Sequence, residues 1–305
     1  MKKIGMVLIA LLLVLPVFTV QTVEAGTHTW HVYPGQSIQN ALDSASPRDT
    51  IIVHKGVYHQ SVVIKKSIIL VGDGAILDGT NADGGTVLSD AITIAGGVSG
   101  VTVKRFEIRD FGRFGIQASN DGTSNINIVA NLIHDISNAA VNLAGTGAGL
   151  QENWLINGNT ISNAAVGIAA SQVRRLVISN NLLTNIWEHG FGVWVSVQED
   201  NTWDSETVTV TGNKVTGRPT VGILMQSFSE HAQLKRIVIT RNTVSGCGDG
   251  IDLLQEYTYA RLIEDIVVSY NTVDNNAAGI LLQGVSRAQV SANTVTNAKG
   301  HSGMI

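Results

Sequence analysis

Three consecutive stretches decide the fold: "VTVTGNKVTGRPTVGILMQ" (208–226), "IVITRNTVSGCGDGIDLLQ" (237–255) and "IVVSYNTVDNNAAGILLQ" (266–283) are one unit written three times. Each holds a short β-branched strand, an Asn, a second short strand, and a third strand starting at a Gly or Ala eight or nine residues later. Degenerate copies extend both ways. The marker Asn falls at Asn131, Asn159, Asn181, Asn213, Asn242, Asn271 and Asn293, at intervals of 28, 22, 32, 29, 29 and 22 residues. Variable spacing tells against helical repeats of fixed length and fits coils whose loops vary in length.

Three short strands per turn, each stacking on its counterpart in the next, predict an all-β chain folded as a right-handed parallel β-helix of about nine coils. One and three places after the Gly or Ala stand Ile116 and Ala118, Val141 and Leu143, Ile168 and Ala170, Phe191 and Val193, Ile223 and Met225, Ile251 and Leu253, Ile280 and Leu282. Period-two alternation turns all of them inward. The recurring Asn suits a corner where left-handed backbone angles are tolerated, and stacked amides at about 4.8 Å bond along the pile. Trp154, in register with Val208 and Ile237, belongs to the core. Upstream, "SIQNALDSA" puts Ile38, Ala41, Leu42 and Ala45 on one face of a short helix that caps the open core.

The entry segment "SIQNALDSASPRDTIIVHKGVY…VVIKKSIILVGDG" (37–58 and 62–74) resembles that of the pectin-lyase-like superfamily of right-handed β-helices, and the later coils resemble its short repeats. The repeats are also similar to those of the periplasmic accessory protein of nitrous-oxide-reductase maturation. The resemblance implies the fold. For function it implies a range, from polysaccharide lyases, glycosidases, epimerases and esterases to adhesins.

Composition narrows the range. Lys2 and Lys3 precede an uncharged run from Ile4 to Val20 and then "VEAG", which reads as a signal peptide over 1–25, with a single mature domain over 26–305 in the periplasm, on the cell surface or secreted. Charged residues are 14% of the chain and the net charge is −4, without the basic footprint of a nucleic-acid binder and, after cleavage, without a membrane segment. Cys247 stands alone, which excludes an internal disulfide framework. The chain stops at "GHSGMI" as another Gly-headed strand begins, with no C-terminal cap, so a longer chain or a partner is expected at that end.

Function is expected where the repeat is broken. Long connections in three consecutive coils, 195–207, 227–236 and 255–265, stand side by side along one edge of the Gly-headed sheet. They offer Trp203, His231, Glu256, Tyr257, Tyr259 and Arg261 as candidate binding residues beside Trp194 and Gln226 on the outward face, where an indole among amides suits a sugar. The candidate catalytic set is Asp252 on that face, Asp249 and Arg218 at the corners of adjacent coils, and Glu188 and His189 two coils earlier, all within roughly 10 Å at coil spacing. Two carboxylates suit glycoside hydrolysis, and Arg218 or His189 as proton acceptor suits β-elimination. Glu199, Asp200, Asp204 and Glu206 form a candidate Ca²⁺ loop, though without the EF-hand order. The leading expectation is a polysaccharide bound along the Gly-headed sheet and cleaved there by a lyase or hydrolase. The alternative is a non-catalytic surface, adhesion or accessory module that binds a protein or glycan.

Overall fold

A computed structural model describes residues 27–80, 87–144, 149–187 and 189–300. The expected signal peptide, Glu188 and the last five residues lie outside them. The chain winds as a solenoid with three faces, each a sheet of parallel strands. The first sheet runs from Thr29–Val32 to Val285–Ser291 and the second ends at Thr294–Thr296. The third, Gly-headed sheet passes from Val62–Ile64 to Ala278–Gln283 through nine strands among the described residues, or about eight complete turns. Among these residues no helix is long and apolar enough to cross a membrane. The helix Ile38–Ser44, capped by the Ser37 hydroxyl accepting from Asn40 N–H at 3.2 Å, sets Ile38 and Leu42 into the open first coil.

The core is a stack of like on like. Ile116, Val141, Ile168, Val193, Ile223, Ile251 and Ile280 align in one column, each fully buried. Each such side chain contributes about 1.5–3 kcal/mol through burial. Trp154 stacks on Leu176 inside the first sheet, with its indole N–H donating to Thr123 Oγ1 at 3.1 Å. The Gly that heads the third sheet is there for want of room. A Cβ on Gly222 would lie 2.3 Å from Val244 Cγ1, and one on Gly250 2.4 Å from Val273 Cγ1.

The Asn column is a continuous ladder. Each Nδ2 donates to the next Oδ1, from Asn131 to Asn159 (3.0 Å), Asn181 (3.0 Å), Asn213 (2.9 Å), Asn242 (3.0 Å), Asn271 (3.0 Å) and Asn293 (2.9 Å). One half of the reason given for it needs correction. The left-handed residue at this corner is the one before the Asn: Ala130, Gly158, Asn180, Gly212, Arg241, Tyr270 and Ala292 have φ between 53° and 66°. Asn recurs because its amide fits both backbone and ladder, and the strained position tolerates many residue types.

A second correction concerns register. In "EHGFGVWV" the Gly that heads the strand is Gly192, because Val193 pairs with Ile168 and Ile223 and is buried with Val195. Phe191 therefore lies at the outer edge with Val166 and Val221, where the sequence reading put it inside. Trp194 moves by one outward column, into line with Leu224 and Asp252.

Candidate functional site

The outer face of the third sheet carries one column that runs Thr93, Gln117, Asn142, Ala169, Trp194, Leu224, Asp252 and Leu281. Its first half floors an open cleft of about 740 Å³, lined by Arg113, Phe114, Gln117, Asn120, Asn142 and, at its far end, Trp194. Arg113 is held to Asp90 at 2.5 Å and lies 4.9 Å over the Phe114 ring, and Gln117 Nε2 donates to the same Asp90 at 2.9 Å. Arg113 and Asp90 thereby neutralise each other, Asp121 adds one acid to the lining, and the rest of its polar groups are amides and hydroxyls. Strand alternation turns Gln117 and Asn142 outward, but no pattern signals Arg113 and Phe114, which precede the heading Gly in "GRFG" and look there like ordinary turn residues.

Trp194 is half-buried, tilted against Phe191 at 5.2 Å, and its Nε1 donates to Gln226 Oε1 at 3.1 Å. Gln226 in turn donates from Nε2 to Glu256 Oε2 at 2.9 Å, so three coils are tied across the face by one polar chain.

The three long connections do stand side by side. Phe228 N–H bonds Val197 O and Glu256 N–H bonds Ser227 O, both at 2.9 Å, and Arg261 N–H bonds Ser229 O at 2.8 Å. Tyr259 OH reaches across two coils to Glu199 Oε1 at 3.0 Å. Tyr257 and Tyr259 are exposed and stacked at 5.0 Å, and His231 is exposed beside Glu230 at 3.4 Å. Arg261 is exposed. Trp203 is exposed too, its backbone N–H bonded to Gln172 Oε1 at 3.3 Å. Gln172 anchors the first loop from the preceding coil, a role that no spacing in the sequence signals.

Of the candidate catalytic residues that are described, the structure brings Asp249 and Asp252 together and sets Arg218 and His189 elsewhere. Asp252 is buried, 7% exposed, and its Oδ1 meets no donor among the described residues. Burial first, then the adjacent Asp249 carboxylate and a hydrogen bond with it, push its pKa up to about 8. The expectation of an exposed floor residue is corrected: flanking Leu224 and Leu281 in its column, with Leu224 itself buried, seat the carboxyl in apolar surroundings. Arg218 lines a separate depression with Asn185, Cys247, Asn275 and Lys299. His189 is exposed on the turn that Gly190 N–H closes onto Trp187 O at 2.9 Å. Cys247 is buried and its thiol is pushed up to about 12 by burial, which leaves it unreactive.

The candidate Ca²⁺ loop does not converge. Asp204 is taken by Lys235 and by Gln233 N–H, and Glu206 by Arg174 at 2.9 Å and by Arg236. Cations on neighbouring coils neutralise these acids, and among the described residues no group of three or more His, Cys, Asp or Glu is placed to hold a metal.

Asp252 gives a pH prediction. Its folded pKa lies above the ordinary carboxylate value of 3.8, so the stability it contributes is present in full below about pH 4 and is lost as pH rises through about 8. Thermal melts of Asp252→Asn across this range are expected to lose that slope, and the variant to melt above the wild-type chain at pH 8, because a neutral amide removes the buried charge and donates to Asp249. A wild-type pH profile no steeper than the variant's would contradict the assignment.

Residues 90–255 and 151–305 match the family described as right handed beta helix region. The chain belongs to this β-helix family. No curated protein matches its sequence. Three solved structures of similar fold share little sequence with this β-helix. The polygalacturonase of Erwinia carotovora ssp. carotovora has a TM-score of 0.62 at 10% identity, covering 86% of this chain and 81% of its own. The alginate lyase of Paenibacillus sp. str. FPU-7 has 0.56 at 14%, covering 90% and 96%. XylC in complex with xylose has 0.57 at 12%, covering 88% and 71%. At such identities the likeness bears on fold.

Proposed function

We propose that this β-helix binds a polysaccharide laid along the outer face of its third sheet, from the amide-lined cleft over Trp194 toward Leu224 and Asp252. The observation that carries the reading is the position of Trp194: an indole at the end of an open cleft, fixed by Gln226, with the amides Gln117 and Asn142 on one side of it in its column and Leu224 and Asp252 on the other. An aromatic face bordered by hydrogen-bonding groups matches the apolar face and hydroxyl rim of a pyranose. The three similar folds, named for a polygalacturonase, an alginate lyase and a xylose complex, support carbohydrate as the ligand class. Export through the segment 1–25 belongs to the same proposal. The test is a titration of the protein with oligomers of neutral, acidic and amino sugars, and saturable binding to at least one class is expected. Failure to bind all three would overturn the reading in favour of a module that docks on protein.

Cleavage is a second reading with one observation in its favour, the buried Asp252 carboxyl beside the half-buried Asp249. Two carboxyls in hydrogen-bonding contact leave no space for a water and a sugar carbon between them, which a two-carboxylate hydrolase requires at about 5–9.5 Å. Asp252 instead holds its proton at neutral pH, fit to donate to a leaving oxygen. Released reducing or unsaturated ends are expected from the wild-type chain and are expected to vanish in Asp252→Asn, with folding retained by the melting criterion above. Equal release by both would end the catalytic assignment of the pair.

A further inference from the structure

The stacked loops border a third hollow, of about 310 Å³, lined by Glu199, Phe228, Glu230, His231 and Tyr259. All three loops contribute to it. Tyr257 stacks on Tyr259 at 5.0 Å and 18° and tilts against Phe228 at 6.0 Å, so the ring faces are fixed in place. Two carboxylates border the rings. Glu199 accepts from Tyr259 OH, and Glu230 pairs with the exposed His231 at 3.4 Å. Arg261, the formal cation of the third loop, is not part of the lining. Desolvation, the hydrogen bond to Glu199 and the negative charge around it hold the Tyr259 phenol above its usual range. Ring faces and carboxylates both attract a cation, and the same field repels a carboxylate.

We propose that this hollow takes a protonated amino group, and that the polymer carried by the third sheet is an amino-sugar polysaccharide. The inference rests on the glycan reading above. Continuity between the two sites supports it: Trp194 bonds Gln226, Gln226 bonds Glu256, and Glu256 directly precedes Tyr257 at the edge of the hollow. A chain resting on Trp194 therefore passes the hollow, and its pendant ammonium groups meet Glu199 and Glu230 while neutral or acidic sugars find no partner there.

The test compares three probes of equal length: a glucosamine oligomer with its amines protonated, its fully N-acetylated counterpart, and an oligogalacturonate. The wild-type chain is expected to bind the free amine about tenfold more tightly than the acetylated oligomer. The double variant Glu199→Gln with Glu230→Gln is expected to bring that ratio close to one. A ratio taken on one protein sample does not depend on the folded fraction, and both side chains are exposed. Trp194-dependent binding of the acetylated or acidic oligomer, with no preference for the amine, would overturn this inference and leave the glycan reading intact. Binding of none of the three would overturn both.

Discussion

Asn242→Ala is expected to destabilise the solenoid by about 3 kcal/mol. The amide of Asn242 accepts from both Asn213 N–H and Asn213 Nδ2, and donates to Val210 O and Asn271 Oδ1, all at 2.9–3.0 Å and all buried. Truncation strands groups on the two neighbouring coils where water does not reach. The cost exceeds that of one ordinary hydrogen bond because the ladder runs unbroken on either side. Asn293→Ala, at the part-buried end, is expected to cost clearly less. Chemical denaturation of the two variants checks the order, and equal midpoints would show that the ladder is not what holds this corner.

Trp194→Ala is expected to weaken glycan binding at least about tenfold while leaving the fold in place. The inward neighbours Val193 and Val195 hold the strand in the core, whereas the indole contacts Phe191 and Gln226 on the outer face. Removing it takes away the stacking surface and frees Gln226 from its place between Trp194 and Glu256. Trp194→Phe keeps a ring without the N–H and is expected to recover part of the affinity. Calorimetric titration of both variants separates stacking from the hydrogen bond, and full affinity in Trp194→Ala would place the glycan elsewhere.

The solenoid was legible because its signals repeat. A buried amide ladder demands Asn at one corner of every coil, and a tight approach demands Gly or Ala at another, so seven imperfect copies reinforce one another. Single events were harder. "HGFGV" offers two glycines, and only pairing with Ile168 and Ile223 shows that Gly192 heads the strand. The left-handed corner residue left no trace because Ala, Asn, Arg, Tyr and Gly all occupy it. Alternation showed that Asp252 faces outward but could not show that it is covered, since burial on an outer face depends on what neighbouring coils lay over it. Acids at 199–206 read as ligands in one dimension, and the partners of Asp204 and Glu206, namely Arg174, Lys235 and Arg236, come from other coils. The three long connections were found by length alone, and their registry follows from the stacking itself.

The most direct test of the central claim is a crystal structure with a bound oligosaccharide of whichever class the titrations select. Sugar density is expected along the third sheet, with a pyranose ring face over Trp194 and the chain extending into the cleft lined by Gln117 and Asn142. Density confined to the first or second sheet, with the Trp194 face bare, would contradict it.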